Sequence, residues 1–239
     1  MVSSEYEKAW FESALGERFL QAETAVVDDL LLSVFGFFLV QVGEWGGGDM
    51  LRSCRVREKL VVSHHDCASK AVSCDPHHLP FASDSLDVLV LPHTLEFVES
   101  PHQVLREAER VLVGEGHLLI LGFSPWSAWG LRAALSRKRF PWHGRYLSEP
   151  RLRDWLNLLD FEVIQSRRYF YRPPLSHAGI LEKLKVMDGF CDRWFSYLAN
   201  AYAIVARKRM IALTPLKFGW RSKKKILGGL VKPATRSIH

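Results

Sequence analysis

The sequence predicts a doubly wound α/β domain: a mostly parallel sheet of seven strands with helices on both faces. Two observations carry this. Residues 86–91 (LDVLVL) are aliphatic at nearly every position, as strands covered on both faces are, rather than alternating between apolar and polar. Strand-like and helix-like segments also follow one another through short connections, which implies right-handed crossovers within one sheet. With 239 residues, 48% of them hydrophobic, the chain can bury a core of that size.

Taken in order, residues 6–32 read as one or two helices packed on the domain, because Trp10, Leu15, Phe19, Val26, Val27, Leu30 and Leu31 recur at three- and four-residue steps with acids between them. Residues 37–42 (FFLVQV) form a buried strand that empties into Gly43-Glu44-Trp45-Gly46-Gly47-Gly48. Short strands follow at 60–63 and 72–73, then the aliphatic strand at 86–91. A helix over 101–112 presents Val104, Leu105, Ala108, Val111 and Leu112 on one side and charges on the other. Gly114-Glu115-Gly116 ends it, and residues 118–121 (LLIL) begin the next strand. The rhythm continues with a helix at 149–159, a strand at 162–171, a helical insertion at 180–198 and a last strand at 201–206. The organisation expected is an N-terminal helical segment (1–34), an α/β domain (35–206) with a helical insertion at about 172–200, and a basic tail (207–239).

The formal charge of +6 is uneven: from Arg207 onward there are ten Lys and Arg and no acids, so residues 1–206 carry a net charge of −4. The tail, with Phe218 and Trp220 before Arg221–Lys225 (RSKKK), suits nucleic-acid phosphates, an anionic membrane surface, or a solvated end. Cys54, Cys67, Cys74 and Cys191 form neither a CxxC pair nor a disulfide framework. Glu5, Glu7, Glu12 and Glu17 near the start argue against a signal peptide, and the apolar run at 30–42 is shorter than the roughly 20 residues a membrane span needs. A cytoplasmic protein is the expectation.

In doubly wound sheets ligands bind outside the carboxyl ends of the strands, where the strand order reverses. Gly43, Gly46 and Gly47 allow close approach of the backbone, and a helix starting there would turn amides toward a carboxylate or phosphate. The block at 74–120 is more specific. It contains Asp75, Leu79-Pro80-Phe81, Ser85-Leu86-Asp87, Leu95-Glu96, Pro101, Arg110-Val111-Leu112, Gly114, Gly116 and the strand at 118–120. In this order and spacing it resembles the central half of class I S-adenosylmethionine-dependent methyltransferases, in the type-11 branch that includes quinone-biosynthesis enzymes.

The resemblance implies a Rossmann-like methyltransferase fold, with residues 201–206 as the family's antiparallel edge strand, and S-adenosyl-L-methionine as cofactor, leaving S-adenosyl-L-homocysteine as product. Gly43 and Gly47, with Glu44 and Gly46 beside them, would form the turn beneath the methionine part. Asp75 would accept a hydrogen bond from the adenine amino group, with Pro76 and His77 beside the ring. Leu91 and His93 would line the path to the methyl group. The chain departs from the family at Gln41, where an acid is usual, at Trp45, where a glycine is usual, and at Ser63 or His64, where an acid grips the ribose. Glu44 could supply a substitute carboxylate.

The sulfonium is already an activated methyl donor, so the protein chiefly has to align a nucleophile and exclude water. For an acceptor that loses a proton, His93 is the first candidate base and Glu96 the second; each also has a plain reading, as pocket wall and as helix start. No metal is expected, since His64, His65, Cys67, Cys74, His77 and His78 match no standard zinc spacing. Trp126 and Trp129 could form a lid over the acceptor or pack as helix residues. Phe190, Trp194 and Phe195 pose the same choice between substrate cap and core. The function expected is methyl transfer to a small-molecule acceptor. The alternative is a non-catalytic binding protein whose cofactor pocket has decayed, and a dehydrogenase is disfavoured because G-x-G-x-x-G is absent from 43–48.

Overall fold

The computed structural model describes residues 9–51, 54–63, 72–135, 141, 144–173 and 198–210. Helix α1 (Ala14–Leu31) leads into β1 (Phe38–Val42), a 3-10 stretch (Trp45–Leu51), β2 (Glu58–Ser63), β3 (Val72–Ser73) and β4 (Leu86–Pro92). Then come α2 (Thr94–Phe97), α3 (Pro101–Val111), β5 (Leu112–Phe123), α4 (Ala128–Leu135), α5 (Glu149–Leu158), β6 (Phe161–Tyr169) and β7 (Ala201–Lys208). The seven strands form one sheet in the order β3-β2-β1-β4-β5-β7-β6. Neighbours from β3 to β5 are parallel, and β7 runs antiparallel to both β5 and β6.

Period-two alternation assigns each strand residue to one of two core layers. Leu39, Val88 and Val90 face α1 and α4, among Phe19, Val27, Leu30, Trp129 and Ala133. Val40, Leu89 and Leu91 face α3 and α5, among Val104, Leu105, Ala108, Leu152 and Leu156. Helix α1 starts where Ser13 caps it, its Oγ accepting from Gly16 N at 3.1 Å. Helices α3 and α5 each carry a proline in the first turn, where no amide donor is missed.

Three expectations need correction. The last strand is not at the edge: β7 lies between β5 and β6, because its AYAIVA run is buried on both faces and only interior pairing satisfies its backbone on both sides. The glycines after α3 do not form a loop before the strand. Strand β5 begins at Leu112, and residues 113–116 are taken up as an irregularity between the Leu86–Leu112 and Val88–His117 pairings, with Glu115 at φ 66°. The N-terminal segment keeps to the expected one or two helices, with a helical stretch at 9–11 broken at residues 12–13 before α1 begins at Ala14. Finally, β7 continues to Lys208, so the first residues of the basic segment belong to the sheet. Lys208 Nζ donates to Asp84 Oδ1, Glu109 O and Leu112 O at 2.7–2.9 Å. The helical insertion expected at 180–198, with Phe190, Trp194 and Phe195, and tail residues 211–239 lie outside the described residues, apart from Leu198.

Candidate functional site

The strand order reverses between β1 and β4, so the crevice to inspect is bounded by the residues that follow Val42 and Pro92. Hydrogen bonds fix both exits: Gly43 N donates to Val62 O at 2.7 Å, and His93 N to Leu121 O at 3.0 Å. His93 takes φ 52°, a left-handed conformation that a non-glycine residue adopts at a cost and that turns the chain straight into α2.

The crevice holds a buried polar cluster. His93 is fully buried, and its Nε2 lies 2.8 Å from Glu23 Oε1. Glu23 comes from α1, is also fully buried, and accepts from Tyr169 Oη at 2.6 Å and Trp45 Nε1 at 2.5 Å. On the other side of the ring, His93 Nδ1 is 3.6 Å from Glu96 Oε1, which accepts from Phe123 N at 2.7 Å. Burial alone would push the imidazole down, but the Glu23 and Glu96 carboxylates overcome it and raise His93 to about 9. The imidazole is therefore protonated at neutral pH. Among the described residues, His93 Nδ1, Glu96 Oε2 and Gln41 Oε1 are buried without a hydrogen-bond partner. Native structures leave few such atoms.

The glycine turn takes an unexpected form. In place of a regular α-helix, it leads into the 3-10 stretch from Trp45, which contains Gly47. Gly43 and Gly46 need glycine for their positive φ of 99° and 69°. The close approach that Gly46 permits is used by the chain itself: a Cβ there would lie 2.8 Å from Leu20 Cδ1 of α1. Trp45, only 7% exposed, sends its indole across the crevice onto His93, with ring centroids 4.2 Å apart. Phe11 lies nearly perpendicular to it at 5.0 Å, and Phe123 also packs on His93, with centroids 4.0 Å apart. Gln41, at the usual acid position, donates its amide to Gly43 O at 2.8 Å and Trp45 O at 3.2 Å, tying off the loop carbonyls from inside. Glu44 is half-buried beside them.

Asp75 follows β3 and caps its own turn. Its Oδ1 accepts from His77 N at 2.9 Å and sits 2.7 Å from His77 Nδ1, while Oδ2 lies 3.3 Å from His78 Nδ1. These contacts, led by the His77 amide, hold its carboxyl down at about 2. Its side chain is 44% exposed, and Pro76 beside it is buried.

Of the residues singled out from the sequence, Gly43, Gly46 and His93 meet at the crevice, with Glu96 behind His93. Asp75, Pro76 and His77 lie beyond β2 and β1 at the same carboxyl edge. Leu91 does not line the crevice, because period-two alternation sends its side chain into the layer with Val104 and Leu105. Trp129 is fully buried and packs on Phe19, whereas Trp126 is 79% exposed, so the two serve as core and surface respectively. No group of three or more His, Cys, Asp or Glu among the described residues could hold a metal ion, and no described helix is long and apolar enough to cross a membrane. His64, His65 and Cys67 lie outside the described residues.

Sequence reasoning missed Glu23, although a signal was present. Phe19, Glu23 and Val27 are four residues apart, which places the acid in the middle of the stripe that α1 buries. Tyr169, the last residue of β6, gave no comparable signal.

The residues fit S-adenosylmethionine unequally. Where the resemblance would put the adenine, Asp75 offers a charged, half-exposed acceptor with the His77 ring at its side. Between the glycine turn and His93, where the resemblance would put the amino-acid part, the Trp45 indole is buried against the His93 ring.

A family model described as a methyltransferase domain matches residues 49–120, a span that begins just after the glycine turn and contains Asp75, His93 and Glu96. The uncharacterized protein YafS of Escherichia coli is 36% identical over 212 residues, covering 87% of this chain and 84% of that protein. Among solved structures, an S-adenosylmethionine-dependent methyltransferase of Thermotoga maritima superposes with a TM-score of 0.58 at 20% identity, over 86% of this chain and 95% of its own. Geranyl diphosphate methyltransferase in complex with GPP and sinefungin does so with a TM-score of 0.57 at 15% identity, over 82% and 80%. Sheet order, the matched block and these likenesses agree: the chain belongs to the class I S-adenosylmethionine-dependent methyltransferases, in the type-11 family.

Proposed function

We propose that this chain transfers a methyl group from S-adenosyl-L-methionine to a small-molecule acceptor. The observation that carries this reading is the cluster of Glu23, His93 and Glu96, three ionisable side chains buried where the strand order reverses. Burying charge costs several kcal/mol per group even when it is paired, and such groups concentrate at functional sites. The likeness to geranyl diphosphate methyltransferase, whose structure holds GPP and sinefungin, supports a small-molecule acceptor.

When bound, the cofactor supplies the methyl group as an activated sulfonium, so the chain's own task is positioning and exclusion of water. Within the cluster the two candidate bases differ. His93 holds its proton at neutral pH between two carboxylates, which suits it to orient and donate. Glu96 keeps Oε2 without a hydrogen-bond partner, which makes it the better acceptor for an acceptor's proton.

The test is calorimetric titration of the purified chain with S-adenosylmethionine, S-adenosylhomocysteine and, as a control, NAD. Saturable binding of either adenosyl compound is expected, and Asp75→Ala should weaken it by about 1–3 kcal/mol, the scale of a lost hydrogen bond to a charged group, without unfolding the domain. An unchanged dissociation constant in the variant rejects the adenine assignment.

The packing of Trp45 favours a second reading, a non-catalytic member that kept the scaffold and filled its own pocket. Absence of any saturable heat with both adenosyl compounds selects it. For the basic tail three readings stand on its composition: a solvated end, contact with nucleic acid, or contact with an anionic membrane surface. Either contact should weaken steeply with added salt.

A further inference from the structure

Several contacts hold Trp45 and its indole in the crevice. Its Nε1 donates to Glu23 Oε2, its ring packs on His93 and lies nearly perpendicular to Phe11, and the carbonyl of the same residue is bound by the Gln41 amide. Two of these partners, Phe11 and Glu23, come from the N-terminal segment and α1. That helix also seats Leu20 over Gly46, so the loop, its tryptophan and the helix close as one assembly.

The assembly is built so that the indole can leave without stranding a charge. Glu23 would keep two of its three donors, His93 Nε2 on Oε1 and Tyr169 Oη on Oε1. The oxygen released is Oε2, an anionic acceptor deep in the crevice, which the ammonium group of an amino-acid tail suits better than a neutral indole N–H.

We infer that Trp45 is a built-in occupant of the amino-acid end of the adenosyl site, tethered by Glu23, and that this residue decides which adenosyl compounds bind. The inference rests on the proposed cofactor reading. Nucleosides that lack the amino-acid tail, such as adenosine, bind at the Asp75 end with the indole in place. S-adenosylmethionine and S-adenosylhomocysteine bind only by displacing it, and their affinity is lowered by the fraction of time the ring occupies the crevice.

The full chain and its Trp45→Gly variant, each checked for cooperative melting, are titrated with adenosine, S-adenosylmethionine and S-adenosylhomocysteine. The variant should bind the two tailed compounds about tenfold more tightly or better, with the adenosine constant unchanged within about twofold. If Trp45→Gly does not fold, Trp45→Leu keeps an apolar side chain while freeing part of the space, and a gain for the tailed compounds alone is still expected. Equal affinity of parent and variant for S-adenosylmethionine overturns the inference and leaves the cofactor reading intact, as does an equal gain for adenosine. If neither protein binds any of the three compounds, both the inference and the cofactor reading fall.

Discussion

On the α3 and α5 side of the sheet, the centre of the core is aliphatic: Val40, Leu89, Leu91, Leu105, Leu118 and Leu156 pack there. On the α1 side the same strands present Val88 and Val90, but the covering elements bring Phe19, Trp45 and Trp129 together with the carboxyl group of Glu23. Both layers cover the same strands, and the difference comes partly from alternate strand residues, Phe123 of β5 and Tyr169 of β6 among them, and partly from the covering elements. A largely aliphatic layer, in which Phe161 and Tyr202 are the buried aromatics, is available to this fold, and buried carboxylates in the opposite layer do not improve stability over well-packed apolar residues. Their position at the β1–β4 crevice marks the place where the domain departs from the most stable packing, and that is where a site is expected.

The sharpest way to break this comparison is Glu23→Ala. It removes the shared acceptor of His93, Tyr169 and Trp45 and leaves a buried imidazolium with one carboxylate fewer, so a loss of about 3–5 kcal/mol is expected in urea unfolding. A loss below about 1 kcal/mol would mean that the cluster is not the paired system described. Leu105→Ala, at a fully buried position of α3, should cost about 2–5 kcal/mol by leaving a cavity, with affinity for adenosyl compounds unchanged. A parallel fall in affinity would show that the two layers are not separable.

Titration sharpens the comparison further. His93 is raised to about 9 in the folded chain, against an ordinary histidine value near 6.5. A group raised on folding contributes its full stability below the unfolded value and loses it as pH climbs through the folded one. The midpoint of urea unfolding should therefore decline between about pH 7 and pH 10, and His93→Gln should flatten that slope. A parent chain with the same slope as the variant would argue against the buried pairs. The smallest effect is expected at Ser13→Ala, where loss of the α1 cap should cost about 1 kcal/mol. Because α1 carries Glu23 and Leu20, this variant should also loosen the closed crevice, seen as faster amide exchange in α1.

Much of the fold was legible because strand and helix periods are local. The strand at 86–91, the helix from Pro101 and the short strand at 72–73 appear where apolar spacing put them. Interior pairing of β7 was not legible, since its apolar run asks for cover on both faces without saying that β6 pairs on its far side. Within the candidate site, the sequence marked His93, Glu96 and the glycine turn, and it marked Trp45 as a departure. It did not reveal where the indole points, because that depends on Glu23, 22 residues earlier in the chain.

The amino-acid sequence by itself determined the α/β class and the family block from Asp75 to the strand at 118–120, because short-range periodicity and motif spacing are properties of neighbouring residues. Only the tertiary structure decided that the glycine turn receives a helix and an indole, that Glu23 gathers three donors, and that Leu91 faces away from the crevice. Those outcomes depend on which surface α1 covers, and no local pattern specifies which of two core layers a helix will close.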